Sequence, residues 1–136
     1  MKIAIDIHGT IDAQPDFFSK LTKLLKAFGV EIHVTTGVQI SSRVIKELAD
    51  WQIEYDYLFS ITDYHVAKGT PIKWDEHGNP WIEDEIWNRT KGQYCWNNRI
   101  DLTIDDSPAY GKYFSTPYMR FKKESMEKKG DHNYGI

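Results

Sequence analysis

Short β-branched runs alternate with longer segments of helical period along most of the chain, and this alternation restricts the fold more than any other feature. Ile3-Ala4-Ile5 lies in a run, Lys2 to Ile7, whose length and branching predict a buried strand. Pro15-Asp16 reads as a helix start, and Phe17, Phe18, Leu21, Leu24, Leu25 and Phe28 recur at helical spacing up to Gly29, a C-cap. Val30 to Thr35 predicts a second strand, closed by Thr36-Gly37. Ser41-Ser42 then caps a helix carrying Val44, Ile45, Leu48 and Trp51 on one face. Tyr55 to Ile61 predicts a third strand. Ile72-Lys73-Trp74 and Trp81-Ile82 flank His77-Gly78-Asn79-Pro80 as a β-hairpin. A third helix over Asp84 to Asn98, a fourth strand over Ile100 to Ile104, a turn at Ser107-Pro108 and a short strand over Tyr118 to Phe121 complete the pattern.

Strands that alternate with helices imply βαβ units, a parallel sheet and right-handed crossovers. The expected class is therefore α/β: a three-layer Rossmann-like parallel sheet with helices on both faces. Residues 1–121 read as one domain, with 66–84 as a hairpin insertion and no room for a cap domain. Residues 122–136 are charged, mix both signs and read as a solvated tail. In such sheets ligands bind beyond the carboxyl ends of the strands. Asp6, Thr35-Thr36 and Asp105-Asp106 each fall at such an end, so polar residues far apart in sequence are expected along one edge.

The chemistry available at that edge centres on the carboxylates. Asp6 ends an apolar strand and is followed by His8-Gly9-Thr10, where Gly9 permits a tight turn and close approach to the backbone. A carboxylate there can bind a hard cation, attack phosphorus, or simply cap the turn. Asp105 and Asp106 repel each other unless a cation or hydrogen-bond donors compensate, and Mg²⁺ is the natural compensation. The structural alternative is a turn capped before Pro108. Thr36 and Gly37 offer a hydroxyl and backbone N–H groups for a phosphate oxygen. Lys68, Lys73 and Lys91 are the lysines considered for charge neutralisation, although most lysines are simply solvated.

Composition excludes several other classes. The net charge of −3 gives no general basic surface, so nucleic-acid binding is not implied by charge. The single cysteine, Cys95, rules out an intramolecular disulfide and a cysteine-based zinc site. No apolar run approaches the roughly 20 residues of a membrane span, and no secretory leader is visible. A soluble, cytoplasmic protein with no membrane partner is expected.

Ile3-Ala4-Ile5-Asp6-Ile7-His8-Gly9-Thr10-Ile11 resembles the first motif of the haloacid dehalogenase-like hydrolases, an apolar strand followed by Asp-x-Asp-Gly-Thr. Thr36, Lys91 and Asp105-Asp106 resemble the family's second, third and fourth motifs, in the right order. The resemblance implies an Mg²⁺-dependent phosphatase in which Asp6 forms an aspartyl-phosphate. Asp6, the backbone carbonyl of His8 and the Asp105-Asp106 pair would hold the metal, and Thr36, Gly37 and Lys91 would hold the phosphate. One departure matters: His8 replaces the second Asp, which in the family protonates the leaving group. Imidazole can do acid–base work near neutral pH. His8 is thus a working acid, or a poor acid suited to leaving groups that need no proton, or the mark of a module that binds Mg²⁺ and a phosphorylated ligand without turnover. A receiver-like domain also uses Asp, Thr and Lys on a similar sheet, but its acidic pair follows the first strand, unlike Asp105-Asp106. The missing cap implies an open cleft suited to a bulky phosphorylated substrate, and Trp74, His77 and Trp81 of the hairpin are candidates to overhang it.

Overall fold

A computed structural model describes residues 1–122 of the chain. Its centre is a five-stranded parallel sheet in the order β3-β2-β1-β6-β7. The strands are β1 (Lys2–Asp6), β2 (Glu31–Thr36), β3 (Tyr57–Ser60), β6 (Leu102–Asp105) and β7 (Tyr118–Arg120). The helices are α1 (Pro15–Ala27), α2 (Ser42–Asp50), α3 (Ile61–Lys68), α4 (Asp84–Asn97) and α5 (Pro108–Gly111), and β4 (Lys73–Trp74) pairs with β5 (Pro80–Trp81) as a separate antiparallel hairpin. The expected α/β class is thus the observed one. No helix among the described residues is long and apolar enough to cross a membrane.

The two faces of the sheet differ because side chains alternate along each strand. Ile3 and Ile5 of β1, with Ile32 and Val34 of β2, pack with Phe18 of α1 and with Val44 and Leu48 of α2 into the larger aliphatic core. Ala4 points the other way and packs with Cys95 of α4 and with Ile100. On that face lie His33, bonded to Tyr94 of α4 at 2.6 Å, and Thr103, whose hydroxyl lies 3.2 Å from the Cys95 sulfur. Helix α1 is correctly read, but only Phe18, Leu21 and Leu25 of its apolar set turn inward. Phe17, Leu24 and Phe28 remain exposed.

Four local readings are corrected. The third strand stops at Ser60, and Ile61 begins α3, which the sequence reading left out. Its buried residues, Ile61, Thr62 and His65, are mostly polar and give no apolar period. Its caps were the available signal: the Ser60 hydroxyl accepts from the Asp63 N–H, and Gly69 ends the helix at φ +81°. The insertion consequently begins after Gly69 rather than at 66. Ser107-Pro108 starts the short helix α5 instead of a plain turn, because the Ser107 hydroxyl accepts from the Tyr110 N–H. The fourth strand is shifted toward its carboxyl end and includes Asp105. Of the predicted charged tail, positions 123–136 lie outside the described residues.

Strand order sets the position of the site. From β1 the chain builds outward through β2 and β3, then returns across the sheet to place β6 on the other side of β1. The direction of winding reverses between β1 and β6, and crevices form outside the carboxyl ends of strands at such a point. Ile5 is level with Ile104, so Asp6 and Asp105 leave the sheet side by side. Asp6 is level with Thr35 on its other side, one residue before Thr36.

Candidate functional site

Asp6, Asp105 and Asp106 converge at the switch point, each with a carboxylate oxygen within 4.8 Å of the others. Lys91 reaches them from α4. Its ammonium donates to Asp6 Oδ1 at 2.6 Å and to Asp105 Oδ2 at 2.9 Å, and the residue is 1% exposed. The Thr10 hydroxyl, from the turn after β1, donates to Asp6 Oδ2 at 3.2 Å. Three carboxylates therefore share a buried region with one ammonium.

That imbalance shows in the acidities. Burial pushes the Asp6 carboxyl up to about 8; the Lys91 ammonium pulls it down, and the charge on Asp105 adds to the rise. Burial alone would lower the Lys91 ammonium, but Asp6 and Asp105 raise it above the ordinary lysine value. Burial is the main cause of the rise at Asp6 and the neighbouring carboxylates are the cause of the rise at Lys91; both favour a bound proton or cation over bare negative charge.

The two adjacent aspartates play different parts. Asp105 is 1% exposed and fully engaged: Oδ1 accepts from the Ser107 N–H at 3.0 Å and Oδ2 from Lys91. Asp106 is half-buried and lines the cleft with Asp6. It stands hard against Gly9, where an added Cβ would come within 2.1 Å of its Oδ2. Gly9 also holds φ +87°, so this position requires glycine for both space and backbone conformation. An all-oxygen donor set suits a hard divalent cation. Asp6 and Asp106 are the residues that could hold one from the cleft, with Asp105 fixing Lys91 beside them.

Thr36 and His8 meet each other. Thr36 is fully buried, its Oγ1 accepts from the Val38 N–H at 3.2 Å, and it lies 3.1 Å from His8 Nδ1. Between the Thr36 hydroxyl and Nδ1 either group can donate, according to the tautomer of the ring. His8 is exposed and lines the cleft, as does Gly37, whereas Thr36 lies beneath it. Thr36 thus supports His8 in this structure rather than opening into the cleft.

The cleft above these residues has a volume of about 860 Å³. Lys91 is the lysine that reaches it. Lys68 sits over the Tyr64 ring at 5.6 Å, and Lys73 sits over the Trp81 ring at 5.6 Å. The hairpin does border the cleft, but through Gly78, Asn79 and Pro80; Trp74, His77 and Trp81 do not line it. Among the lining residues that the sequence reading did not assign to the site are Trp87 and Tyr110. Trp87 and Tyr110 are joined by a hydrogen bond from the indole N–H to the phenol at 2.9 Å, and the Tyr110 ring lies 4.7 Å from the Lys91 ammonium. The i, i+4 spacing of Trp87 and Lys91 was the legible signal, since it puts both on one face of α4.

The fold and site together define a Rossmann-like α/β protein with a buried, lysine-bridged acidic cluster at its switch point. The chain matches no known family model and no curated protein.

Proposed function

We propose that the protein is an Mg²⁺-dependent phosphomonoester hydrolase of the haloacid dehalogenase-like type. The convergence of Asp6, Asp105 and Asp106 around Lys91 carries this reading. Asp6, Asp106 and the backbone carbonyl of His8 would hold the cation. When bound, Mg²⁺ neutralises charge on the phosphate oxygens and lessens their repulsion with Asp6. An Asp6 oxygen attacks phosphorus as the bond to the leaving oxygen breaks, giving an aspartyl-phosphate. His8, as the imidazolium, delivers the proton that the leaving oxygen needs from Nε2 and is left as neutral imidazole, while Thr36 at its Nδ1 orients the ring. Lys91 stabilises the Asp6 carboxylate and balances charge on the transferring group. Water then hydrolyses the intermediate and frees Asp6.

The test is Mg²⁺-dependent phosphate release from an aryl phosphate. Asp6→Asn should lower kcat by about 10⁴-fold or more, the scale for losing a nucleophile. Ordinary turnover in that variant would end the assignment. The second reading, binding without turnover, is favoured by one feature: a histidine stands where a second carboxylate would act as acid. It predicts that phosphate binds with Mg²⁺ and that no ester is cleaved. For His8, the comparison is His8→Ala against wild type across pH. Unchanged rates and an unchanged profile would remove His8 from the mechanism.

A further inference from the structure

We propose that the phosphomonoester taken by this cleft carries one phosphate on an uncharged body with a flat ring, of the nucleoside class, and that the ring lies against Trp87. This inference rests on the phosphatase reading of the same site.

The first support is charge. Two cationic side chains other than histidine line the cleft, Lys91 and Arg43. Lys91 is held between Asp6 and Asp105, and the Arg43 guanidinium is paired with Glu47 at 3.1 Å. Against them the lining sets Asp6, Glu47 and Asp106, so the cleft holds no excess of positive charge for a second phosphate. The segments flanking the hairpin turn and Trp87 carry Asp75, Glu76, Glu83, Asp84 and Glu85 against Lys73 and Arg89, all exposed. A polyanion such as a nucleic-acid strand would meet like charge on leaving the cleft. One phosphate is accommodated at the acidic cluster; the rest of the substrate must be close to neutral.

The second support is shape. Trp87 is half-buried, with its only polar atom committed to Tyr110. Its ring edge lies against Gly37, where an added Cβ would come within 2.9 Å of the indole. The indole is thereby fixed in orientation, and what it offers a ligand is an apolar face. Val38, Val44 and Pro80 add apolar surface to the same cleft. Trp87 precedes Lys91 by one turn of α4, so a ring resting on it adjoins the phosphate position. Gln39, exposed in the cleft, supplies a polar group for the edge of a heterocycle.

Four substrates separate these elements: adenosine 5′-monophosphate, glycerol 1-phosphate, adenosine 3′,5′-bisphosphate and a 5′-phosphorylated oligothymidylate. Each presents a 5′- or primary phosphate on an alkyl oxygen, so the leaving groups are matched. In the wild-type protein with Mg²⁺, kcat/KM for the nucleoside monophosphate should exceed that for glycerol phosphate by about tenfold or more, the scale of one base stacked on an aromatic ring. The bisphosphate and the oligonucleotide should fall below the monophosphate. Trp87→Leu should lower kcat/KM for the nucleoside monophosphate by about tenfold more than for glycerol phosphate, erasing the preference. Equal or better use of glycerol phosphate, the bisphosphate or the oligonucleotide would overturn the proposal. So would an equal loss on all substrates in Trp87→Leu and in the milder Trp87→Phe. If the wild type cleaves none of the four but does cleave the aryl phosphate, the proposal is overturned; if it cleaves neither, the phosphatase reading fails. Calorimetry with the same panel and Mg²⁺ then decides the ligand class: the same order of affinities supports it, and no preference for the nucleoside monophosphate overturns it.

Discussion

Two polar networks stand next to each other on α4, one built on Thr90 and one on Lys91, and they are of opposite kinds. His65 of α3 is 3% exposed and lies between two hydroxyls, Thr70 at its Nδ1 and Thr90 at its Nε2, each at 2.8 Å. Thr90 in turn donates to the Ile86 carbonyl at 2.7 Å. Every polar atom there finds a neutral partner, and the network ties α3 to α4. One residue later, Lys91 pairs with Asp6 and Asp105, and with Asp106 beside those two the cluster has three carboxylates to one ammonium. Burial makes unpaired charge costly in both places. The first network meets that cost internally, as structural networks do. The second remains short of positive charge, as expected of a site completed by a cation.

Replacing Lys91 breaks this contrast most forcefully. Lys91→Met should cost roughly 3–5 kcal/mol, the scale for removing one partner from a buried ion pair. Chemical denaturation without metal checks this, and Mg²⁺ should restore part of the loss. Gly9→Ala should come next. The +87° backbone angle and the contact with Asp106 together suggest a cost of about 1–3 kcal/mol and a weakened response to Mg²⁺. At the other network, His65→Ala should cost about 1–3 kcal/mol by leaving hydroxyls without partners, with the Mg²⁺ response intact.

Across pH the two networks should respond with opposite signs. The folded state raises Asp6 from its ordinary 3.8 to about 8, so it retains a proton that the unfolded chain releases. That stabilisation is complete below pH 3.8 and is lost as pH rises toward 8, by at most about 1.4 kcal/mol per unit. In metal-free protein, the stability difference between wild type and Asp6→Asn should therefore shrink with rising pH. His65 is lowered from 6.5 by burial, with Lys68 and Arg89 adding to the fall. Its contribution is complete above pH 6.5 and is lost as pH falls below it. Denaturation from pH 5 to 8 on wild type, Asp6→Asn and His65→Ala separates the two slopes. Slopes of the same sign would remove the contrast.

Much of this could be read from the chain because strand ends are marked by abrupt changes of chemistry. Ile5 to Asp6 and Ile104 to Asp105 are apolar-to-acidic steps, and parallel topology brings such steps together. Lys91 was legible by its place in the helix leading back to the sheet. Helix α3 was less legible because a neutral buried network needs no apolar stripe, so Thr62 and His65 gave no periodic signal. The division of labour between Asp105 and Asp106 was hidden because it depends on the Ser107 N–H and on contact with Gly9. The pairing of His8 with Thr36 was hidden for the same reason, since only the turn after β1 brings the imidazole back over β2.

The central claim is that the charge deficit around Asp6 is completed by a divalent cation. Calorimetric titration of Mg²⁺ at pH 8 into wild type and Asp106→Asn tests it directly. One ion should bind per wild-type chain, and the variant should bind at least about tenfold more weakly, as expected on losing a charged ligand. No binding by the wild type, or equal binding by both proteins, would contradict the account.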